Sequence, residues 1–432
     1  MTLLRVAVIG AGAAGLCAAR HILAHPKTFA PPVVYELNSD IGGTWVYNER
    51  VGKLDNGWPV HSSMYHGLRT NLPKEVMMFP DFPFDPRLNS FLPHQEVLRY
   101  LESYCQSHNI RPHIQFGTAV QKVSPVSVMD SEVRTTWEVT SSDTSGCQKT
   151  QAFDAVFVCT GHYSDPHIPN IPGMENFKGK VLHSHEYRYP EPFAGQSVVV
   201  LGAGPSGLDI SFELAAVGAQ VTLSHGLPRF TFPLPPEIQQ AHPVVAVQGD
   251  GSLRFQDGSV GVAEVLMLCT GYIFRFPFLG AAQLGLEVKD HLVSPLYRFM
   301  MPPAFPSLFI IGICQIICPF PHFHIQVQFA LAVLDGSVPL PPRAEMEAEV
   351  QQELEEKLKR GVKWRHLLKL GRDQWHYCET LACTAGFPSL PPVIHSLYEE
   401  VFQQRRIHPQ NYRKHNYRLI SDTEWELVEV QE

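Results

Sequence analysis

At 432 residues the chain exceeds what one hydrophobic core fills, about 250 to 300 residues, so two or three domains are expected. Its 34 Lys+Arg against 42 Asp+Glu leave a net charge of −8, and no basic run is suited to track a phosphate backbone, which argues against a nucleic-acid partner. The nine cysteines are odd in number and form no CxxC pair, Cys314 and Cys318 being four apart and Cys378 and Cys383 five apart; a reducing, cytoplasmic setting is expected, with neither a disulfide framework nor a metal site.

The chain opens directly on a β-branched run, Arg5 to Ile9, without the charged leader and apolar block of a signal peptide. The glycine loop of "VAVIGAGAAG" (Val6 to Gly15) follows, then an Ala/Leu-rich helix to about Ala24 and a strand "VVYEL" at Val33 to Leu37, which together make one βαβ unit. Arg69 to Leu88 reads as irregular and His94 to Asn109 as helical, while Ile114 to Val158 is strand-rich, turns at "SSDTSG" and ends in Cys159-Thr160-Gly161. Pro166, Pro169 and Pro172 make a stiff connector, after which "VVVLGAGPSG" (Val198 to Gly207) opens a second βαβ unit that runs to "EVLMLCTGY" (Glu264 to Tyr272). "LFIIGICQII" (Leu308 to Ile317) is about half the length needed to cross a bilayer and reads as a core strand, while Ala344 to Arg360 reads as a charged helix before a polar end at Glu432. The expected fold is α/β, with two Rossmann-like dinucleotide-binding domains, the second inserted in the first: residues 1–168 and 294–432 for one, the latter with a C-terminal helical extension, and 169–293 for the other.

Each glycine of such a loop has its own task. The first allows the tight turn, the second lets backbone approach a pyrophosphate, and the third lets the helix pack close to its strand. In the first loop these are Gly10, Gly12 and Gly15, with Ala13 and Ala14 opening the helix whose free N–H groups meet the phosphates. Glu36, about 20 residues on, is placed to accept hydrogen bonds from a ribose with free hydroxyls, which fits FAD or NAD. In the second loop they are Gly202, Gly204 and Gly207, with Pro205 and Ser206 opening the helix, but the matching strand delivers Ser224 and His225 where an acid would stand. A neutral or cationic pair there accommodates a 2′-phosphate, with Arg229 as a further contact, which points to NADPH. Two loops of opposite ribose chemistry imply two dinucleotides held face to face so that a hydride passes between their rings.

With Gly42-Gly43-Thr44-Trp45 after Glu36, "YHGLRTNLPKEVM" (Tyr65 to Met77), and Phe177 to Tyr187 matching FxGxxxHxxxY ahead of the second loop, the chain resembles the flavin-containing monooxygenases, the class B flavoprotein oxygenases. The similarity runs to "QWHYCETLA" and "LPPVIHSLYEEVF" near the end. It implies an enzyme in which NADPH reduces FAD, NADP⁺ stays bound, and a C4a-hydroperoxyflavin passes its distal oxygen to a soft nitrogen or sulfur nucleophile, yielding N-oxides or S-oxides of small molecules such as xenobiotic amines and thioethers. By the same resemblance Asn71 stands beside the flavin as the catalytic residue, with a neutral amide that donates and accepts without supplying a proton. Gly42, Gly43, Thr44, Trp45, His61, Ser62, Thr70, Val120 and Gln326 are implied at the FAD, and His183 at the NADP, with His183 and Tyr187 positioning the linker or the coenzyme.

The departures are Gly226, where many relatives carry a basic residue, and His324, where an aspartate is common. The chain resembles the compact branch that lacks a hydrophobic C-terminal membrane anchor, with peripheral association with the endoplasmic reticulum and a homodimer left open. A Baeyer–Villiger oxygenase is the nearest rival, but its fingerprint ends in Trp where this chain has Tyr187. A disulfide reductase would need a redox Cys pair soon after the first loop, and none lies between Cys17 and Cys105. An uncoupled NADPH oxidase or a dinucleotide sensor is the remaining alternative.

Overall fold

The computed structural model describes residues 2–55, 57–126 and 135–428; the polar end at Glu432 and the centre of the strand-rich piece lie outside them. Two five-stranded parallel sheets carry the architecture. In the first the spatial order is Leu308–Ile310, Ala155–Val158, Val6–Ile9, Val33–Tyr35 and Ile114–Gln115. In the second it is Ile238–Ala241, Gln220–Ser224, Ser197–Leu201, Val265–Leu268 and Lys180–His183. Because Leu308–Ile310 returns to pair with Ala155–Val158 after the whole second sheet has been made, the second Rossmann-like unit is inserted in the first.

Both sheets are covered on two faces, and the side-chain period of two sorts the strand residues between them. Val6, Val8, Ala155 and Phe157 pack against a layer that includes the helices Ala13–Leu23 and Pro319–Asp335, while Ala7, Ile9, Val156 and Val158 face a separate core containing Trp137 and Phe276. In the second sheet Val198, Val200, Val221 and Met267 meet the helix Pro205–Ala216, and Val199, Leu201, Leu266 and Leu268 form the core of the opposite face. Near-continuous apolar strands of this kind are what a parallel sheet needs.

Several elements differ from the sequence reading. The second strand ends at Tyr35 rather than Leu37, and the chain bends from Leu37, where Asn38 N–H folds back onto the Glu36 carboxylate. "LFIIGICQII" is strand only over Leu308–Ile310; Gly312 at φ +77° breaks it, and Ile316 is left exposed at φ +54°. The irregular segment holds one helical turn, Lys74–Met77. The fingerprint region contributes an edge strand, Lys180–His183, that the pattern alone did not reveal.

The strand-rich piece is a three-stranded antiparallel sheet, Thr118–Val126, Thr136–Asp143 and Gln148–Phe153, and its turn is held by the Asp143 carboxylate accepting from Ser145 and Cys147 N–H groups. Helices Arg343–Lys359, Asp373–Ala385 and Pro392–Ile407 and the hairpin of Asn416–Leu419 with Trp425–Val428 close the chain. No helix among the described residues is long and apolar enough to cross a membrane.

The fully buried Trp137 donates its indole N–H to Ser307 Oγ at 2.9 Å, which ties the antiparallel sheet to the strand that closes the first unit. Ser307→Ala leaves that donor unpaired and is expected to destabilise by about 1–3 kcal/mol; urea denaturation should show a lower midpoint with an unchanged slope.

Candidate active site

The two glycine loops superpose in their chemistry. Gly10 takes φ +103°, and a Cβ there would lie 2.6 Å from the Cys159 carbonyl oxygen; Gly202 takes φ +101°, and a Cβ would lie 2.4 Å from that of Cys269. A Cβ on Gly15 would meet the Gly10 carbonyl at 1.8 Å, and one on Gly207 the Gly202 carbonyl at 1.9 Å. The first and third glycines of each loop are therefore demanded by the protein's own packing. The middle ones are not: a Cβ on Gly204 would find nothing within 4 Å, and one on Gly12 only an ordinary contact, 3.5 Å from Gly43 Cα. Both middle glycines cap a helix without a side-chain hydrogen bond, and neither helix has an acid in its first turn, so the first-turn N–H groups, those of Ala13 and Ala14 in one and of Ser206 in the other, where Pro205 carries none, are left for an anion. These two open cradles fit a pyrophosphate each.

Glu36 is buried beside the first cradle, where its Oε2 accepts from Ala11 N–H at 2.7 Å and its Oε1 from Asn38 N–H at 2.8 Å. Burial pushes its carboxyl up, opposed by these donors. Val120 lies in the strand Thr118–Val126, next to a break in register, and the same strand is tied back by the Thr118 N–H donating to the Glu36 carbonyl. Gly42 and Gly43, at φ +117° and +56°, bring the Gly43 Cα against Gly12. In the following turn Ser62 Oγ donates to the Thr44 carbonyl at 2.7 Å, Thr44 Oγ1 stands 3.5 Å from Ser63 Oγ, and Trp45 meets Phe320 edge-on at 6.4 Å. Burial lowers the His61 pKa. Thr70 Oγ1 accepts from Leu92 N–H, whereas the half-buried Asn71 amide makes no hydrogen bond among the described residues and is available to a ligand.

Gln326 is fully buried and its amide is engaged within the protein: Oε1 accepts from Gly312 N–H at 2.9 Å and Nε2 donates to Tyr377 Oη at 2.8 Å. Both ends of its amide are thus turned to protein partners, and what it fixes is the Gly312 turn. His324 lies against His21, Nδ1 to Nε2 at 3.1 Å, and near Asp81 at 3.7 Å. Cys17, His21 and His324 bring ligand-type atoms within 4.8 Å of one another, but the Arg20 guanidinium contacts His21 Nδ1 at 3.1 Å and pairs with Asp81, an arrangement that opposes a further cation.

In the second unit the Ser224 hydroxyl donates to the His242 carbonyl and accepts from Val244 N–H, so it fixes the loop beyond. The His225 ring stacks on Phe230 at 4.7 Å with its Nδ1 buried and unpaired. Arg229 is exposed and opens onto a cavity of about 360 Å³ lined also by Phe232, Ile238 and Gln240. His183 joins the fingerprint to the second Cys-Thr-Gly turn: Nε2–H donates to the Gly271 carbonyl and Nδ1 accepts from His185 N–H, both at 3.0 Å. Tyr187 Oη donates to Glu213 at 2.6 Å.

Sequence reasoning missed the Cys159 and Cys269 carbonyls, Ser63, Tyr272 and Tyr377. The repeated Cys-Thr-Gly was the one available signal for the carbonyls.

Gly15→Ala forces strand and helix apart and should destabilise by about 3 kcal/mol, read as a lower melting temperature. Gly204→Ala, at φ −73° in open space, should leave melting unchanged and weaken NADP⁺ binding about tenfold or more, measured by titration calorimetry. Burial holds His183 neutral, its pKa pushed down to about 4. Since the unfolded value is higher, about 6.5, its contribution is complete above pH 6.5 and is lost as pH falls towards 4. Thermal melts from pH 7 to 4 should show falling stability, and His183→Gln should flatten that dependence.

Residues 4–230 and 238–427 match the model of the family described as flavin-binding monooxygenase-like. The chain is 37% identical over 430 residues to flavin-containing monooxygenase FMO GS-OX4 of Arabidopsis thaliana, covering 94% of this chain and 90% of that one. Among solved structures, the S-allyl-L-cysteine S-oxygenase from Allium sativum superposes with a TM-score of 0.86 at 35% identity, covering 95% of both chains. Tmm from Pelagibacter superposes with a TM-score of 0.84 at 29% identity, covering 99% of this chain and 96% of that one. The chain belongs to the flavin-binding monooxygenase-like family, an oxidoreductase family whose cofactors are FAD and NADPH.

Proposed function

We propose that this chain is an NADPH- and O₂-dependent monooxygenase that places one oxygen atom on a soft nucleophilic nitrogen or sulfur of a small molecule, with a thioether sulfur as the favoured target. Residues 1–168 and 294–432 hold FAD in this reading and 169–293 hold NADPH. The observation that carries it is the way the two cradles meet. The turns after Cys-Thr-Gly in each unit face one another, Tyr163 against Tyr272 with ring centroids 5.6 Å apart. Two dinucleotides leaving their cradles at the carboxyl ends of the strands converge on that junction. The sulfur preference rests on the S-oxygenase likeness at 35% identity.

Bound FAD would supply the electron storage and oxygen activation, and NADPH the hydride. The protein's own residues bind, orient and exclude water. Glu36 would accept from ribose hydroxyls, and the first-turn N–H groups of Ala13 and Ala14 in one cradle and of Ser206 in the other would hold the pyrophosphates. Gly43, Thr44, Trp45, His61, Ser62, Thr70 and Val120 wall the flavin side, and Gln326 fixes the Gly312 loop from behind. His225 and Arg229 face the 2′-phosphate, with Arg229 taking the charge that Gly226 does not supply. Asn71 is the catalytic residue: its free amide, which neither gains nor loses a proton, steadies the reacting oxygen by hydrogen bonding without protonating it. The overall reaction consumes thioether, O₂, NADPH and H⁺ and yields sulfoxide, water and NADP⁺.

Purified holoenzyme tested with thioethers, tertiary amines and ketones should form sulfoxide in step with NADPH consumption, with ketones unreacted. Asn71→Ala should retain FAD but lower product per NADPH about tenfold, with hydrogen peroxide making up the difference. NADPH consumption that yields only hydrogen peroxide with every nucleophile would overturn the reading.

A further inference from the structure

The amide of Asn71 is free, but the turn that carries it is held from two sides. On one side stand residues 91–93: Thr70 N–H donates to the Leu92 carbonyl at 2.8 Å, Thr70 Oγ1 accepts from Leu92 N–H at 3.0 Å, and the Arg69 guanidinium donates to the Phe91 carbonyl at 2.8 Å. On the other stands a residue from the far end of the chain. Arg413 Nε–H donates to the Thr70 carbonyl at 3.0 Å, across 343 positions of sequence. That carbonyl and the Asn71 N–H belong to one planar peptide, so a bond to the first orients the backbone from which the Asn71 side chain leaves.

The remaining donors of the same guanidinium reach the second unit. Its two terminal nitrogens meet the Asp209 carboxylate side by side, at 3.0 Å to Oδ1 and 2.6 Å to Oδ2, with the two side chains only 19% and 20% exposed, and Tyr65 Oη donates to Oδ2 at 3.2 Å. Asp209 lies one turn into the helix Pro205–Ala216, whose start forms the second cradle. The segment around Arg413 is itself fixed to both units: Gln410 Nε2 donates to the Pro233 carbonyl of the second, while in the first Tyr412 meets Phe91 edge-on at 5.2 Å and Asn416 Oδ1 accepts from Ser90 N–H. Arg413 is not what joins the units, since Arg188 donates to the Asn48 and Arg50 carbonyls elsewhere. What it does, and no other side chain among the described residues does, is bind the peptide of Asn71 and the cradle helix with one rigid fork. A planar guanidinium can hold both because its donors point in two fixed directions; an ammonium is a single point charge.

We propose that Arg413 is a positioning residue for the monooxygenase reaction: it holds the Thr70–Asn71 peptide so that the Asn71 amide stays aimed at the flavin, and Asp209 of the NADPH-binding unit holds Arg413 in place. This rests on the function proposed above. Asn71 acts by hydrogen bonding, and a hydrogen bond weakens steeply when its donor turns away, so a loosened peptide costs oxygen transfer without costing cofactor binding.

The test uses FAD-loaded Arg413→Lys, Asn71→Ala and their double variant. Lysine keeps a positive charge for Asp209 and loses the fork. In Arg413→Lys the FAD content, and the NADP⁺ affinity measured by titration calorimetry, should stay close to the parent's. Product per NADPH should fall about threefold to tenfold, the worth of one hydrogen bond, with hydrogen peroxide making up the difference; kcat for product should carry the loss and KM for the thioether should change little. In the Asn71→Ala background Arg413→Lys should lower product per NADPH no further, because the group it positions is gone. The visible circular dichroism of the bound, oxidised FAD, which senses the groups beside its ring, should shift in the same sense in both single variants and no further in the double. Product per NADPH equal to the parent in Arg413→Lys, or losses that multiply in the double variant, would overturn the proposal. A parent enzyme that oxygenates no nucleophile would instead overturn the proposed function, and the dichroism would still decide whether Arg413 positions Asn71. Should Arg413→Lys fold poorly, Asp209→Asn, which loosens the anchor and leaves the bond to Thr70, takes its place in the same comparison: a smaller loss that Asn71→Ala abolishes is expected, and no loss overturns the proposal.

Discussion

Both cradles depend on one contact made twice: a cysteine carbonyl pressed against the α-carbon of a glycine, Cys159 on Gly10 and Cys269 on Gly202. The approach is possible only without a Cβ and with a backbone at φ near +100°, so it fixes how the loop leaves its strand. The loop's direction aims the helix, and the helix then packs on the loop through Gly15 or Gly207 at a separation that tolerates no side chain. The rest of the cradle follows as geometry. Once strand, loop and helix are locked in this way, the middle glycine is left without a close neighbour, Gly204 in open space and Gly12 in ordinary contact with Gly43, beside the uncapped N–H groups of the helix start.

The same two turns determine what lies between the cradles. Each Cys-Thr-Gly is followed by an aromatic residue, His162 in one case and Tyr272 in the other, and the junction is lined with histidines that burial keeps neutral: His162 and His183 are both pushed down to about 4, and His185 is lowered. Neutral imidazoles satisfy their neighbours, as His183 does for Gly271 and His185, without the solvating water that an imidazolium would demand. Hydrogen-bonded, neutral histidines thus line the junction beside the half-exposed ring of Tyr163.

The insertion of one unit in the other makes the chain cross between them twice. The chain leaves the first sheet after Val158 and returns at Leu308, and the segments that cross near the junction, Asp165–His167 and Thr270–Ile273, are hydrogen-bonded to each other. The units also meet away from these crossings, where Arg413 pairs with Asp209, Tyr65 Oη donates to Asp209, and Arg188 donates to the Asn48 and Arg50 carbonyls.

Local rules carried the sequence reading a long way. Glycine spacing, β-branched runs and the acid at Glu36 are short-range signals, because a turn, a strand and a helix start are decided by neighbours in the chain; they located both βαβ units and the insertion. The fate of polar side chains was not legible. Ser224 turned inward to His242 and Val244, Gln326 turned to Gly312 and Tyr377, and His324 met His21, 303 residues away. The edge strand Lys180–His183 was hidden because its partner, Val265–Leu268, lies more than eighty residues on.

What the amino-acid order by itself determined is the pair of phosphate cradles and the order in which they are threaded, since steric limits on glycine and the period of apolar residues act within a few positions. Only the tertiary structure decided which hydroxyls, amides and imidazoles are consumed inside the fold and which remain for a ligand. Hydrogen-bond partners are chosen by proximity in space among many chemically equal candidates, and chain neighbours alone do not specify that choice.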